Sequence, residues 1–291
     1  MEEARRDIVH GNIEAASKRV YELITVLTSH EPVTFEQKDI ELLPSYFLLA
    51  EANICLGGSR LKKAEEFLIA AYWNLLNNKN ADEKEGEKKT IVSEEEIVQF
   101  RGTLHKTFGR LFLSQKEDPT YRKALDELTK GIFLECQQHG PESFRMSSSY
   151  YYMGEVFRKQ GQSHYHNTKA YFGKIVSIWK KFVLEQDMQP GQDWKYSVID
   201  PIYYEEADQH LRNMLHFFEM EYGPHETITA ECLFAYSLVS LKIGNDMVGL
   251  EAMQKAHMIY SNNLGEYDQK TKEIEEYIIA FENAFKQDDR Q

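Results

Sequence analysis

AECLFAYSLVSLKIGNDMVGLEAMQKA, residues 230–256, is the most informative stretch of this chain. The small residues Ser237 and Gly249 and the larger Met253 lie at offsets that suit two helices joined by a turn at Gly244. In such a unit the small residues lie where the helices cross, and larger apolar side chains fill the space around them. One helix pair cannot bury its own apolar face, so the stretch predicts neighbouring pairs elsewhere in the chain.

The same offsets recur, with varied turns, in three earlier parts of the chain. These parts are Leu49, Ala50, Asn53, Gly57, Ala64, Leu68 and Ala71; Phe108, Gly109, Phe112, Ala124, Leu128 and Gly131; and Met153, Gly154, Phe157, Gly161, Thr168 and Phe172. The second helix of a further pair is indicated by Gly11, Ala16, Val20 and Leu23, and its first helix would lie largely before Met1. The shared spacing is that of the tetratricopeptide (TPR) repeat. The sequence therefore predicts an all-α, TPR-like α-solenoid of about five helical hairpins, with an ordinary helical bundle as the alternative.

Signals at helix ends agree with this array. Ser93 and Glu96 have the spacing of a capping box, in which the two side chains satisfy exposed donors at a helix start. Thr34 and Gln37 have the same spacing. The segment 200–222 opens with Asp-Pro, which suits a helix start, and continues with helical periodicity.

We predict one solenoid domain over residues 1–291. Residues 1–40 hold the partial first repeat and a linker, and residues 186–200 make a long connection. Residues 77–92 are predicted to be a mobile insertion, whose mixed charges suit a solvated loop better than a binding site. Residues 268–286 form the predicted C-terminal capping helix, because their apolar residues share one stripe and the other face is acidic and polar.

The net charge restricts the class of partner. A formal charge of −13 argues against generic binding to nucleic acid or anionic membrane, because phosphate is repelled at long range. Tubulin surfaces are acidic too, so attachment to a microtubule would pass through another protein or a local basic patch. Lys174, Lys180 and Lys181 could supply such a patch, although exposed lysines on a helix commonly serve solvation alone. We therefore expect protein partners, with neither nucleic acid nor membrane among them.

The cysteine pattern and the absence of targeting signals bear on location. Cys55, Cys136 and Cys232 are an odd, scattered set, which favours free thiols in a reducing compartment. No stretch approaches a membrane-spanning helix, and the first residues lack the apolar core of a secretory signal. The expected location is the cytosol or a compartment continuous with it.

Motifs of catalysis and metal binding are absent from the sequence. It contains no Walker loop, no dinucleotide fingerprint and no G-x-S-x-G elbow. His210 and His216 lie six apart on a predicted helix, so their side chains do not converge. The cysteines are too far apart for a C-x-x-C zinc site. We predict a non-enzymatic protein with no catalytic residue, cofactor or metal.

The candidate binding site is the groove lined by the first helix of each pair. On the repeat register, Glu51, Arg110, Tyr151 and Glu155 are predicted to face a protein partner. The alternative is that the tyrosines of residues 150–152 are simply divided between core and solvent. Adaptors that bind chaperone tails use Lys, Asn and Arg to hold a carboxylate in this groove. The positions that match here are Phe47, Glu51, Lys106, Arg110, Tyr151 and Glu155, so most of that set is replaced by acidic and aromatic residues.

Several strings resemble a known family. They are ELLPSYFLLAEANICLGG (41–58), LKKAEEFLIAAYWNLL (61–76), HKTFGRLFLSQK (105–116), SSYYYMGEVFRKQG (148–161) and KIVSIW (174–179). Together they resemble the TPR region of the family of zinc finger MYND domain-containing protein 12, axonemal proteins of motile cilia. The resemblance runs from about Gly11 to the final helix and is strongest over residues 42–179. The family's zinc finger has no Cys/His ligands here, so either this version lacks the finger or the sequence begins within a longer chain.

The resemblance implies a structural role in the axoneme, associated with single-headed inner dynein arms. The implied partners are the tail of an inner-arm dynein heavy chain or its light chains, and neighbouring axonemal TPR or coiled-coil proteins. In this role the chain would help to tether the arm to the doublet microtubule. The alternative is a soluble cytoplasmic TPR adaptor in dynein arm assembly. The family motif offers no catalytic residue to transfer, and zinc binding is not carried over.

Overall fold

The chain is helical throughout the part that its structure covers. The structure is a computed structural model that describes residues 1–29, 39–81, 92–116, 118–187 and 197–288. Across these ranges it contains twelve α-helices and no strand, which confirms the predicted all-α class. In chain order they are α1 Glu2–Val9, α2 Ile13–Ser29, α3 Leu43–Leu56, α4 Arg60–Ala81, α5 Glu94–Gln115, α6 Asp118–His139, α7 Ser147–Lys159, α8 Tyr165–Phe182, α9 Ile202–Glu221, α10 Thr227–Lys242, α11 Asp246–Leu264 and α12 Gln269–Asp288.

The helices fall into two compact units. The first comprises Met1–Pro141 and Tyr152–Thr168, and the second comprises Glu142–Tyr151 and Lys169–Gln291. Helices α7 and α8 therefore contribute residues to both units.

In the first unit, α3 packs against α4 and α5 packs against α6. Helix α3 is apolar on nearly every face, and Leu43, Leu49 and Ala50 are completely buried. Pro44 lies in its first turn, where a missing N–H breaks no helical hydrogen bond. Gly57 ends the helix with φ 65°, a conformation that favours glycine. Pro44 at the start, the apolar residues along the helix and Gly57 at its end therefore account for the bounds and the burial of α3.

The first helix pair differs from its prediction. The expected position of its first helix was largely before Met1, but Glu2–Val9 already form α1, which packs on α2. Ala4 of α1 and Ala16 and Val20 of α2 are buried together in one small core. The sequence shows little sign of α1, because eight residues with three buried or half-buried apolar positions are too few for a periodic pattern.

Two of the three predicted helix-start signals are present in the structure. Ser93 caps α5 and exchanges the reciprocal hydrogen bonds of a capping box with Glu96. At α9 the Asp200 carboxylate accepts a hydrogen bond of 3.0 Å from the backbone N–H of Ile202. The third signal, Thr34 with Gln37, lies outside the described residues.

The predicted irregular segments are only partly covered. Helix α4 continues through Ala81, into the segment predicted as an insertion, and residues 82–91 lie outside the described ranges. Helix α8 continues into a π-helical turn at Val183–Asp187, so the predicted connection 186–200 begins within that turn. Residues 188–196, which hold its Pro-Gly pair, are outside the description as well.

In the second unit α10 is the central helix. It is buried along almost its whole length and packs against both α9 and α11. Helix α12 packs on α11 and buries Ile274 and Phe281, as the predicted apolar stripe requires. Several polar residues of α12, among them Lys272, Glu275 and Glu276, are exposed, whereas Thr271 is buried.

Candidate protein-binding surfaces

Glycines allow α5 and α6 to approach closely. A Cβ atom on Gly109 would lie 2.5 Å from Cγ of Leu128 and 2.8 Å from its Cδ2. A Cβ on Gly131 would lie 3.2 Å from the carbonyl oxygen of Gly102 and 3.2 Å from the backbone nitrogen of Lys106. These distances are too short for a side chain, so at Gly109 and Gly131 only glycine fits without a shift of the neighbouring atoms. Both glycines were predicted as positions where the helices cross.

The α10–α11 pair in the second unit has the same kind of crossing. A Cβ on Gly249 would lie 2.7 Å from Cγ of Leu241 and 3.0 Å from the carbonyl oxygen of Ser237. Ser237, Met253 and Ala256 are completely buried. The offsets that first suggested a helix pair thus mark the contact between these two helices.

The α7–α8 pair is joined by a polar contact within the first unit. The buried Thr168 hydroxyl donates a hydrogen bond of 3.4 Å to the carbonyl oxygen of Gly154. Both residues were predicted as crossing positions, and Met153 beside them is also buried.

The predicted groove residues Glu51 and Arg110 are brought together in the first unit. An Arg110 guanidinium nitrogen donates to the Glu51 carboxylate at 2.7 Å, and this ion pair joins α3 to α5. The side chains are only 12% (Arg110) and 19% (Glu51) exposed. The guanidinium also lies 4.6 Å from the ring centre of Tyr152, within the range of a cation–π contact. Both groove residues are therefore already paired within the chain.

A second cation at a groove position is paired as well. Lys106 on α5 forms an ion pair of 3.1 Å with Glu135 on α6. With Lys106 and Arg110 both bound to carboxylates of the chain, these positions do not present free cations to an incoming carboxylate. The geometry fits the sequence argument against a chaperone-tail clamp.

Tyr151 and Glu155 each make contacts of their own within their units. Tyr151 is buried in the second unit, where its ring stacks on His210 with centroids 3.8 Å apart. Its hydroxyl accepts a hydrogen bond of 3.0 Å from the side-chain amide of Asn213. Glu155 is buried in the first unit, and Arg158 donates to both of its oxygens at 2.7 Å. Each side chain is satisfied within its own unit, so neither offers much surface to a partner.

The predicted basic patch is largely neutralised within the second unit. Lys174 is hydrogen-bonded to Glu142, and Lys180 lies 3.2 Å from Glu273. The Lys180 ammonium also lies 4.9 Å from the ring centre of Phe234. Two of the three lysines thus stabilise contacts of this unit.

Exposed aromatic residues on second helices were missed at the sequence level. Trp73 on α4 is 56% exposed beside the exposed Tyr72, and Phe133 on α6 is 61% exposed. Trp73 follows the buried Leu68 by the same offset at which Phe133 follows the buried Leu128. That offset, counted from the predicted core positions, is the signal that could have found them.

A charged cluster lies across the α5–α6 pair. His105 Nδ1 lies 2.6 Å from a Glu127 carboxylate oxygen, and the Lys130 ammonium lies 2.7 Å from the other. Burial alone would raise the pKa of Glu127, but the hydrogen bonds with His105 and Lys130 together hold that pKa below its ordinary value. Glu127 is therefore a carboxylate whose ionised form is stabilised by the fold.

The remaining sites with possible chemistry are few. Cys55, Cys136 and Cys232 lie in α3, α6 and α10 as free thiols, and burial raises the pKa of the Cys232 thiol. Within the described ranges no three His, Cys, Asp or Glu side chains group as metal ligands would. In the same ranges no helix has both the length and the apolar character needed to cross a membrane. No protein-family model matches the chain.

Proposed function

We propose that the chain is a non-enzymatic scaffold of the motile-cilium axoneme, built as a TPR-like α-solenoid of about five helical hairpins that α12 closes. The observation that carries the repeat reading is the recurrence of close helix crossings at one register. A Cβ on Gly109 of α5 would lie 3.4 Å from the carbonyl oxygen of Ala124 on α6, and a Cβ on Gly249 of α11 would lie 3.0 Å from the carbonyl oxygen of Ser237 on α10. Gly109 and Ser237 have the same place on the predicted first helix, as Ala124 and Gly249 have on the second. Matched offsets with matched contacts are expected of a repeated unit and uncommon in an irregular bundle.

The axonemal part of the proposal rests on the resemblance to the family of zinc finger MYND domain-containing protein 12. On that basis the chain helps to tether single-headed inner dynein arms to the doublet microtubule. Its partners would be a dynein heavy-chain tail or light chains and neighbouring TPR or coiled-coil proteins. Because the chain and tubulin are both acidic, the attachment to the microtubule would be indirect.

The paired charges of the groove suggest how a partner is accepted. Glu51 and Arg110 are held in one ion pair, with Tyr152 against the guanidinium. A partner that lies along this groove exchanges hydrogen bonds with a pair that is already ordered, so little side-chain entropy is lost on binding. Such a surface supports selective contact with a protein segment and no bond-making chemistry.

Fractionation of cilia tests the proposal. Tagged protein should stay with axonemes after detergent removes the membrane, and it should leave when salt is raised to about 0.5 M, where surface ion pairs are screened. A tagged soluble protein of similar mass, expressed in the same cells, is the control for trapping. Recovery of the chain in the cytoplasm and in the detergent extract, with none in axonemes, would favour the assembly adaptor instead.

A pair of matched variants then tests the groove. The groove variant combines Glu51→Gln with Arg110→Gln, which keeps hydrogen-bonding groups at both positions but removes their charges. The control is Lys18→Gln with Glu22→Gln, an exposed ion pair on α2. We expect the groove variant to leave axonemes at lower salt than the wild type, while the control variant behaves as the wild type. Equal retention of both variants would rule out the groove as the contact surface.

A further inference from the structure

The negative charge of the chain is concentrated in its last third. Residues 200–291 contain 18 acidic and 7 basic residues, which gives −11 of the total −13. Helices α9 to α12 therefore carry nearly all of the net charge, and they belong to the second unit. Such an asymmetry indicates an interaction that depends on charge rather than a general need for solubility.

One surface of this region combines the carboxylates with exposed apolar side chains. On α11 the outward residues Glu251, Gln254 and Met258 follow one another at helical spacing. On α12 the exposed residues Glu275 and Ile279 and the half-buried Glu282 do the same. We call these residues, together with Glu276, the α11–α12 face.

The two stripes meet along the face. The Gln254 side-chain amide donates to the Glu282 carboxylate at 3.3 Å. The two helices are joined by a short turn and run in opposite directions. The residue one turn after Gln254 on α11 therefore lies opposite the residue one turn before Glu282 on α12. This geometry brings Met258, 62% exposed, to the level of Ile279, 54% exposed. The face thus has an apolar centre between two helices.

Two carboxylates of the face, Glu275 and Glu276, form no ion pair within the described part of the chain. Of the nearby cations, Lys270 is paired with Glu231, and the Lys272 ammonium lies 5.5 Å from the ring centre of Tyr267. Lys255 remains as an exposed cation on α11. Burial, reinforced by nearby carboxylates on α12, raises the pKa of Tyr277 on the inner side of the helix.

We propose that the α11–α12 face binds a basic amphipathic helix of a partner protein. The shallow seam between two antiparallel helices receives the apolar stripe of the partner at Met258 and Ile279, as in other helix-in-groove complexes. Lysines and arginines on both flanks of the partner helix then lie near Glu251, Glu275 and Glu276. Methionine suits the centre because its flexible side chain adapts to varied apolar shapes. The inference deepens the proposed scaffold function, on which it rests, by naming the chemistry of one partner.

A defined peptide tests the face on the purified full chain. The probe is a fluorescein-labelled synthetic helix of about 18 residues, with leucine on one stripe and lysine on the other. Binding is measured by fluorescence anisotropy at about 50 mM and about 300 mM sodium chloride. We expect saturable binding that weakens about tenfold over this range, as an electrostatically steered contact does. Of two comparison peptides, one carries lysine but no leucine, and the other carries leucine with glutamate in place of lysine.

The variants separate apolar from charged contributions. Met258→Ser with Ile279→Ser should weaken binding about tenfold, and Glu275→Gln with Glu276→Gln about fivefold with a smaller salt effect. The matched controls are Met220→Ser, an exposed methionine on α9, and Glu65→Gln with Glu66→Gln, an adjacent glutamate pair on α4. Both controls should bind the probe as the wild type does, and thermal unfolding confirms that each variant is folded.

Several results would overturn the proposal. They are equal affinity for the glutamate peptide, full affinity for the lysine peptide without leucine, equal weakening in the control variants, and no binding at low salt. Because the probe is synthetic, this outcome is independent of the fractionation of cilia. If the chain binds the probe but is absent from axonemes, the inference about the α11–α12 face stands and the axonemal function fails. If the chain stays with axonemes but does not bind the probe, the axonemal function stands and this inference fails.

Discussion

At the scale of single residues, the effect of replacing a glycine in a helix depends on which atoms lie near the position that a Cβ would take. Gly109 has the side chain of Leu128 where its own Cβ would be, whereas Gly173 in α8 has no atom within 4 Å of that position. The same substitution should therefore have opposite effects at the two sites. At the crossing it adds overlap, and at the open site it only removes the flexibility of glycine in a helix.

The first prediction compares these two glycines. Gly109→Ala should destabilise the protein by about 1–3 kcal/mol, because the new methyl group overlaps Leu128. Gly173→Ala should stabilise it by roughly 0.5–1 kcal/mol. Urea unfolding measures both. Adding Leu128→Ala should recover part of the loss at Gly109, as a coupling in a double-mutant cycle. Additive effects of the two changes would show that Gly109 and Leu128 are not in contact.

The second prediction concerns Glu127 and pH. The pKa of its carboxyl is held below its ordinary value in the folded state. A group of this kind stabilises the fold above its unfolded pKa, which is about 4.3, and loses that contribution as the pH falls through the folded pKa. Glu127→Gln should thus cost about 1 kcal/mol at neutral pH and progressively less below about pH 4.

Unfolding free energies of the wild type and of Glu127→Gln, measured from neutral pH down to about pH 3, give the test. The control is Glu66→Gln, since Glu66 is an exposed glutamate of α4. Its effect should be near zero across the range. A constant difference for Glu127→Gln at every pH would contradict the stabilisation of its ionised form by His105 and Lys130.

At the scale of elements, the ion pair between Glu51 and Arg110 holds α3 against α5. Its side chains are more than four-fifths buried, and Tyr152 lies against the guanidinium, so it differs from ordinary surface pairs. A largely buried charge left without its partner is costly, because water no longer solvates it fully. The pair therefore connects one helical hairpin of the first unit to the next.

The third prediction follows from that burial. Arg110→Ala should destabilise the protein by about 2–3 kcal/mol, because it strands the Glu51 carboxylate. The comparison is Lys18→Ala, which breaks an i, i+4 pair on α2 with both side chains largely exposed and should cost less than about 0.5 kcal/mol. Thermal and urea unfolding of the two variants give the difference. Similar losses at both positions would mean that the Arg110 pair adds no more than a surface contact.

The elements show which features the sequence could predict. Crossing residues such as Ala64 and Leu128 were identified from spacing alone, because small and large residues alternate with the helix period. The partner of Glu155 is Arg158, three residues further along α7, a spacing that the sequence shows but that our prediction did not use. The stacking of Tyr151 on His210 was not predictable, because it depends on which side chains of another helix come near. A polar residue placed at a groove position by register is free only if no neighbour pairs with it. A neighbour on another helix is set by tertiary packing, which one sequence does not encode locally.

At the scale of the whole molecule, charge distinguishes two stretches of helices. Residues 43–139, which hold α3 to α6, carry 15 acidic and 14 basic residues, while residues 200–291 carry 18 and 7. Self-repulsion therefore acts mainly on α9 to α12. Repulsion between exposed charges beyond about 10 Å is screened at moderate salt, and shorter ion pairs are weakened at the same time.

The last prediction uses this contrast. Raising sodium chloride from about 50 mM to about 500 mM should slow amide hydrogen exchange in α9–α12 about threefold, because screened repulsion raises the free energy of opening there. Helices α3–α6 have nearly balanced charge and several ion pairs, so their exchange should stay constant or quicken. Hydrogen-exchange mass spectrometry resolves both stretches in one sample, and each serves as the reference for the other. An equal slowing in both would point to a general salting-out effect on apolar burial, and the uneven charge would then have no part in the stability of α9–α12.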